Sequence, residues 1–176
     1  MEKLLQTELI NTEKKKPIKT SKELASIIYG AKKKKKNFKK NPATKTFQAI
    51  RIFVNQELTE LVLALIEASK LLGEGGILLV VSFHSLEDKI VKNFFNLYSN
   101  FKKNPSRYLP IKEKNFNLFK SISKKPLVPN IKEIKFNNRS RSAKLRYATR
   151  SNNSFFYPSE FKDKFNGYLQ LEASKL

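Results

Sequence analysis

From about Thr46 to Leu72, apolar residues recur at helical spacing, at Phe47, Ile50, Val54, Leu58, Leu61, Leu65 and Leu72, with Ile52, Phe53, Val62, Leu63 and Ile66 between them. That period predicts one long helix, or two abutting ones, with a wide buried face. Gly73 stops the helix and Gly75-Gly76 turns the chain. The next run, Ile77 to Phe83, is apolar almost throughout instead of alternating, the pattern of a strand covered on both faces. Ser85-Leu86-Glu87-Asp88 then has capping-box spacing and opens a helix through Ile90, Val91, Phe94 and Phe95. Helix, buried strand, helix is the signature of an α/β fold.

The flanks are more polar. Thr20-Ser21-Lys22-Glu23 is a capping box, predicting a helix through Leu24, Ile27 and Ile28 that ends at Gly30. Lys32 to Lys36 is a run of like charges that repels itself, so a flexible connection is expected there. Beyond Tyr98, Pro105, Pro110, Pro126 and Pro129 punctuate a polar stretch in which loops dominate. Short strands are expected near Leu118 to Ser121 and from Ala143 to Thr149. The tail after Ser151 is polar and aromatic, with no clear periodic reading.

The 176 residues suffice for one domain or two small ones, and 40% apolar content suffices for a core. There is no cysteine, which excludes disulfides and thiolate metal sites, and the single histidine leaves no His-rich metal cluster. The N-terminus lacks a signal-peptide core and no run approaches the roughly 20 apolar residues of a membrane span. A cytoplasmic, membrane-free protein is expected. The net charge of +21 suggests a polyanionic partner, because each phosphate neutralised releases counterions. However, 30 of the 36 basic residues are lysine, in a chain also rich in Asn, Ile and Phe, as AT-rich coding produces. Arginine is therefore the more informative cation, and four of the six fall within Arg139 to Arg150.

In open α/β sheets, ligands bind beyond the carboxyl ends of strands. His84, with Ser82 and Ser85 beside it, stands at that end of the Ile77 strand and is a candidate to line a pocket. Ser85 and Asp88 also have a structural duty as a helix cap, whereas His84 has no comparable local duty and is otherwise a satisfied histidine at the rim. The chain has neither G-x-G-x-x-G nor a Walker loop, and Gly73-Glu74-Gly75-Gly76 precedes a strand instead of following one. No metal-ligand spacing or Ser-His-Asp set is evident. Composition and spacing alone stop at a basic α/β protein.

Three ordered segments go further. Asn41-Pro-Ala-Thr-Lys-Thr-Phe-Gln-Ala-Ile-Arg-Ile52 with Val54-Asn55 resembles H-P-A-T-R-T-F-Q-A-L-R-I-x-V-N. Ser82-Phe-His-Ser-Leu-Glu-Asp-Lys-Ile-Val-Lys92 resembles S-F-H-S-L-E-D-R-I-V-K. Lys125-Pro126 and Asn137-Asn-Arg-Ser-Arg-Ser-Ala-Lys-Leu-Arg146 resemble K-P and N-P-R-S-R-S-A-K-L-R. These motifs are those of the ribosomal RNA small subunit methyltransferase H family, and the resemblance covers roughly residues 17 to 150. Asn41 stands for the family's histidine, Lys45 and Lys89 for arginines and Asn138 for a proline. Lysine at position 45 keeps the charge and loses bidentate geometry.

The resemblance implies transfer of a methyl group from S-adenosyl-L-methionine to N4 of a cytosine in bacterial 16S rRNA. It implies a Rossmann-like class I methyltransferase domain of which this chain holds the C-terminal half. Residues 1–43 would be the end of a helical insertion with a Lys-rich linker, 44–150 the second half of the catalytic domain, and 151–176 a polar tail. The half with the glycine-rich cofactor loop has no match here, so no cofactor-binding residue is expected in this chain. The Ile77 strand would lose a neighbour and expose an apolar edge. A C-terminal fragment, marginal alone, is therefore expected, whether from a truncated gene model, a split gene or a decayed copy. Ser82, His84 and Ser85 would line the base side of the pocket. Lys45, Arg51, Arg139, Arg141, Lys144 and Arg146 would face RNA phosphate, although Arg51 can instead pair with a carboxylate and strand-edge charges can guard against aggregation. Expected partners are 16S rRNA in the small ribosomal subunit and, in a split enzyme, a separately encoded N-terminal half. The alternative is a non-catalytic basic RNA-binding remnant without a cofactor site.

Overall fold

The computed structural model describes residues 2–32, 41–99 and 117–173. The chain divides into two compact units, 1–55 and 56–176. No helix among the described residues is long and apolar enough to cross a membrane.

The first unit holds α1 (Glu2–Lys15), α2 (Ser21–Lys32) and α3 (Thr44–Asn55), with α1 and α2 packed together. The Thr20 box closes as its spacing predicts. Thr20 Oγ1 accepts from the Glu23 N–H at 3.1 Å, and Glu23 Oε2 accepts from the N–H groups of Lys19 at 2.9 Å and Thr20 at 3.2 Å. The two backbone donors, Lys19 first, hold the Glu23 carboxyl below its ordinary pKa. α2 continues past Gly30 to Lys32 and buries Ile28. The remainder of the expected flexible lysine connection lies outside the described residues.

Between the two alternatives for Thr46 to Leu72, the structure has two helices. Gln56 takes φ 53, the left-handed region, and breaks α3 from α4 (Glu57–Leu71). The unit boundary thus falls at Asn55 and Gln56 and not at residue 43.

The second unit continues with β1 (Ile77–Ser82), α5 (Ser85–Leu97), β2 (Phe119–Ile122), α6 (Ile131–Phe136), a 3-10 helix (Asn138–Ser142), β3 (Lys144–Arg150) and α7 (Ser159–Ala173). The strands form one three-stranded sheet in the order β1-β3-β2, with both pairings antiparallel. Both short strands thus form within a residue or so of their expected places. Gly75, at φ 76, and Gly76 turn the chain into β1. The Arg150 N–H donates to Gly76 O at 2.8 Å, stitching that turn to the end of β3.

α5 lies on one face of this sheet, and α4 and α7 pack against α5 and each other. The core there is aromatic. Phe94 meets Phe161 at 4.7 Å between centroids, Tyr98 at 5.4 Å and Phe119 at 5.7 Å, and Phe95 meets Phe119 at 5.3 Å, mostly edge-on or tilted. Residues 151–173 are part of this core and not a separate polar tail. Phe161 and Phe165 are buried, and the Phe161 N–H donates to Tyr98 Oη at 3.1 Å. Burial pushes the Tyr98 phenol up to about 12 despite that hydrogen bond. Glu172 of α7 caps α4 from across the unit, accepting from the Thr59 N–H at 2.9 Å.

The expectation of a strand covered on both faces fails. Ile77, Leu79 and Val81 remain 58%, 61% and 54% exposed, and β1 pairs with β3 along one edge only. The sequence equips both faces of β1 with apolar side chains, but the described helices of this unit cover only one.

Candidate functional site

The end of β1 leads straight into α5, and the junction is built by a capping box one residue earlier than its spacing suggested. His84, extended at φ −139 and ψ 165, is the N-cap, not Ser85. His84 Nδ1 accepts from the Glu87 N–H at 3.3 Å, while Glu87 Oε2 accepts from the N–H groups of Phe83 at 2.8 Å and His84 at 3.2 Å. The lone histidine therefore does have a local structural duty. The overlapping frames His84-x-x-Glu87 and Ser85-x-x-Asp88 differ by one residue, and only the first leaves Asp88 free to reach β3.

Because Nδ1 accepts a hydrogen bond, the neutral ring carries its proton on Nε2. That nitrogen lies 3.2 Å from Glu87 Oε1 and 3.8 Å from Glu57 Oε2, the latter delivered by the first turn of α4. Neither carboxylate stands in line for a hydrogen bond, so the contacts are electrostatic. Glu57, His84 and Glu87 converge as a possible cation-ligand set. A metal at Nε2 would move the ring proton to Nδ1, against the Glu87 N–H, so this arrangement suits a proton held between two carboxylates better than a metal. Glu57 carried no local sequence signal, since only the packing of α4 on α5 brings it here.

Asp88 crosses to β3. Its Oδ1 accepts from Arg146 Nε at 2.7 Å, and its Oδ2 accepts from Lys144 Nζ at 3.1 Å and from Arg146 Nη2 at 3.4 Å. Burial pushes the Asp88 carboxyl up, and the bonds and charges of Arg146 and Lys144 outweigh it, so the pKa lies below its ordinary value. Arg146 is 5% exposed, and its guanidinium is committed to this pair. It does not stand with the exposed arginines, and Lys144, partly exposed, shares the same carboxylate.

The other residues singled out from sequence are dispersed. Ser82 is buried, its Oγ 3.4 Å from Lys144 O, whereas Ser85 is exposed at the first helical position of α5. Ser82, His84 and Ser85 thus meet at the β1 terminus. Arg139 and Arg141 are exposed on the 3-10 helix, and Arg141 Nη1 reaches only Asn138 Oδ1 at 3.5 Å. Lys45 and Arg51 are exposed on α3, in the other unit. Arg150, not singled out beforehand, is buried and donates to Leu118 O at 3.0 Å and Asn153 O at 2.8 Å, tying β2 to the chain that enters α7.

No strand, glycine loop and helix in that order exists among the described residues. Gly76 is glycine for a packing reason, since a Cβ would stand 2.8 Å from the Leu72 side chain. The residues present therefore do not fit a nucleotide cofactor by that route.

A family model described as the MraW methylase family matches residues 1–151, a range containing all three motif segments. Ribosomal RNA small subunit methyltransferase H of Afipia carboxidovorans is 45% identical over 146 residues, 83% of this chain and 43% of that protein. Its counterpart in Ehrlichia chaffeensis is 49% identical over 138 residues, 78% of this chain and 43% of its own length. That of Oenococcus oeni is 47% identical over 140 residues, covering 78% and 44%. The chain spans less than half the length of the curated relatives it matches.

Proposed function

Since the chain belongs to the MraW methylase family, we propose that it is the C-terminal part of an S-adenosylmethionine-dependent methyltransferase acting on N4 of a cytosine in 16S rRNA. The observation that carries the reading is the match itself, at 45% to 49% identity to proteins named as ribosomal RNA small subunit methyltransferases. The open edge and bare face of β1 support it. An unpaired apolar strand is where the remaining strands of a larger sheet would add, completing a Rossmann-like fold that continues beyond the three strands seen here.

In this reading the cofactor is held by the portion of the enzyme that this chain does not match. The chain's own contribution is the far wall of the pocket and the grip on RNA. Ser82, His84 and Ser85 stand at the carboxyl end of β1, where the extruded base must be oriented so that its exocyclic amine faces the methyl donor. His84 acts there by position. Its ring is pinned by the Glu87 N–H and two carboxylates, so it fixes the start of α5 instead of swinging toward a substrate. Arg139 and Arg141 face phosphate, with Lys45 and Arg51 on the other unit. Arg146 and Lys144 are left out of that set, because Asp88 occupies them.

The test is calorimetric titration of S-adenosylmethionine into the purified chain, alone and mixed with the portion of a relative that the chain does not match. No binding alone and tight binding in the mixture is the expected result. No binding in either would leave an RNA-binding remnant. Binding by the chain alone would place a cofactor site within it and overturn the division of labour.

A further inference from the structure

Between Lys124 and Ser142 the sequence holds six cations, Lys124, Lys125, Lys132, Lys135, Arg139 and Arg141, against one acid, Glu133. The same segment displays the most exposed large apolar side chain among the described residues, Phe136, at 95%. Such exposure on a floppy loop would mean little, but this segment is built. α6 has only six residues, too few to hold as a helix unaided. Asn130 caps it by accepting from the Glu133 N–H at 2.9 Å, and the Asn137 N–H closes its end on Glu133 O at 2.7 Å. The 3-10 helix packs against it, with Asn137 Oδ1 accepting from the Arg139 N–H at 3.1 Å and Ser140 Oγ donating to Asn137 O at 2.8 Å. These bonds fix a phenylalanine ring in water beside a row of cations.

We propose that Phe136 is a stacking platform for an unpaired base of the RNA, with Lys132, Lys135, Arg139 and Arg141 carrying the phosphates on either side of it. This rests on the reading of the chain as part of an RNA methyltransferase. An enzyme that extrudes its target base leaves neighbouring bases unstacked, and an exposed aromatic ring compensates that loss for any base, since every base has a π face. Charge decides between RNA and protein as the occupant. Interface cores between proteins are depleted in lysine, whereas single-strand grooves combine lysine and arginine with aromatic rings.

The experiment is fluorescence anisotropy of the whole chain with a labelled single-stranded oligoribonucleotide and with the same sequence as a duplex. Phe136→Ala is expected to weaken single-strand binding about tenfold, as loss of one stacked base does, and to leave duplex binding and the slope of log K against log salt unchanged. Phe136→Trp should bind within about twofold of the native chain. Arg139→Ala with Arg141→Ala should instead lower the salt slope by about one. An exposed ring carries no core packing, so the urea midpoint of Phe136→Ala should match the native one. Equal single-strand affinity for the native chain and Phe136→Ala would overturn the platform while leaving the RNA reading standing. Loss confined to association with a complementing polypeptide would overturn it in favour of a protein contact. Failure of the native chain to bind RNA would remove both the platform and the RNA partner.

Discussion

β1 and β3 have two faces built from nearly the same kinds of residue, and they meet opposite fates. On one, Leu78, Val80 and Ser82 stand beside Ala148, Arg146 and Lys144, under α5. On the other, Ile77, Leu79 and Val81 stand beside Thr149, Tyr147 and Leu145, and every β1 residue there is more than half exposed. Apolar sequence made both faces equally fit for burial, and the helices available decided which was buried. The bare face differs in turn from the shelf around Phe136. One is a row of alternating aliphatic residues on an unpaired strand, fit to be continued by another strand. The other is a single ring among cations, fit for a polyanion.

The sharpest way to break the contrast between the two faces is to attack the covered one. Phe94 is fully buried and touches Phe95, Tyr98, Phe119 and Phe161. Phe94→Ala should cost about 3–5 kcal/mol, a large share of the stability of an ordinary domain. Urea denaturation followed by circular dichroism reads this directly, and a midpoint within error of native would mean that the aromatic core is not what holds the unit.

Next in size is the charged part of the same face. Asp88→Asn leaves the Arg146 guanidinium buried beside a neutral amide and should cost about 3 kcal/mol at neutral pH. Burial opposes ionisation of Asp88 and the two cations prevail, so its folded pKa is depressed. The stability it contributes is therefore fully present above the ordinary carboxylate range and is lost as pH falls through the lower folded value. The native chain should lose its advantage over Asp88→Asn across that acidic window, in midpoints taken at stepped pH. Parallel curves for the two proteins would show that the pair adds nothing.

What could be read from sequence follows the range of the interaction concerned. The strands and α5 are legible because a run or a period of apolar residues announces them within a few positions. The cap of α5 slipped by one because histidine is not among the usual N-cap residues, although His84-x-x-Glu87 has the right spacing. Arg146 was grouped with Arg139 and Arg141 by nearness in sequence, yet strand alternation from Ala148 and Arg150 turns it inward, and Asp88 is 58 residues away. α7 was missed altogether. Asn166 and Gly167 interrupt its middle, a glycine there costs about 1 kcal/mol against alanine, and only the fit of Phe161 and Phe165 against α5 and of Glu172 on α4 compensates. Glu57, for the same reason, could be found only in the fold.

The smallest effect on stability, and the one that decides what the bare face is for, should come from Leu79→Lys. Leu79 is 61% exposed on a strand with a free edge, so the substitution should change the urea midpoint by no more than about 0.5 kcal/mol. A lysine there also guards an edge, so self-association measured by sedimentation should fall. In the mixture with the unmatched portion of a relative, the same lysine would lie buried and unpaired at the junction, and S-adenosylmethionine binding by the mixture should be lost. The two readings separate cleanly, because one concerns the chain alone and the other concerns what covers it. A large loss of stability in the isolated chain would mean that its own residues already cover this face, and the difference between the two sides of β1 would disappear. Unchanged stability together with unchanged cofactor binding by the mixture would mean instead that the missing strands add elsewhere.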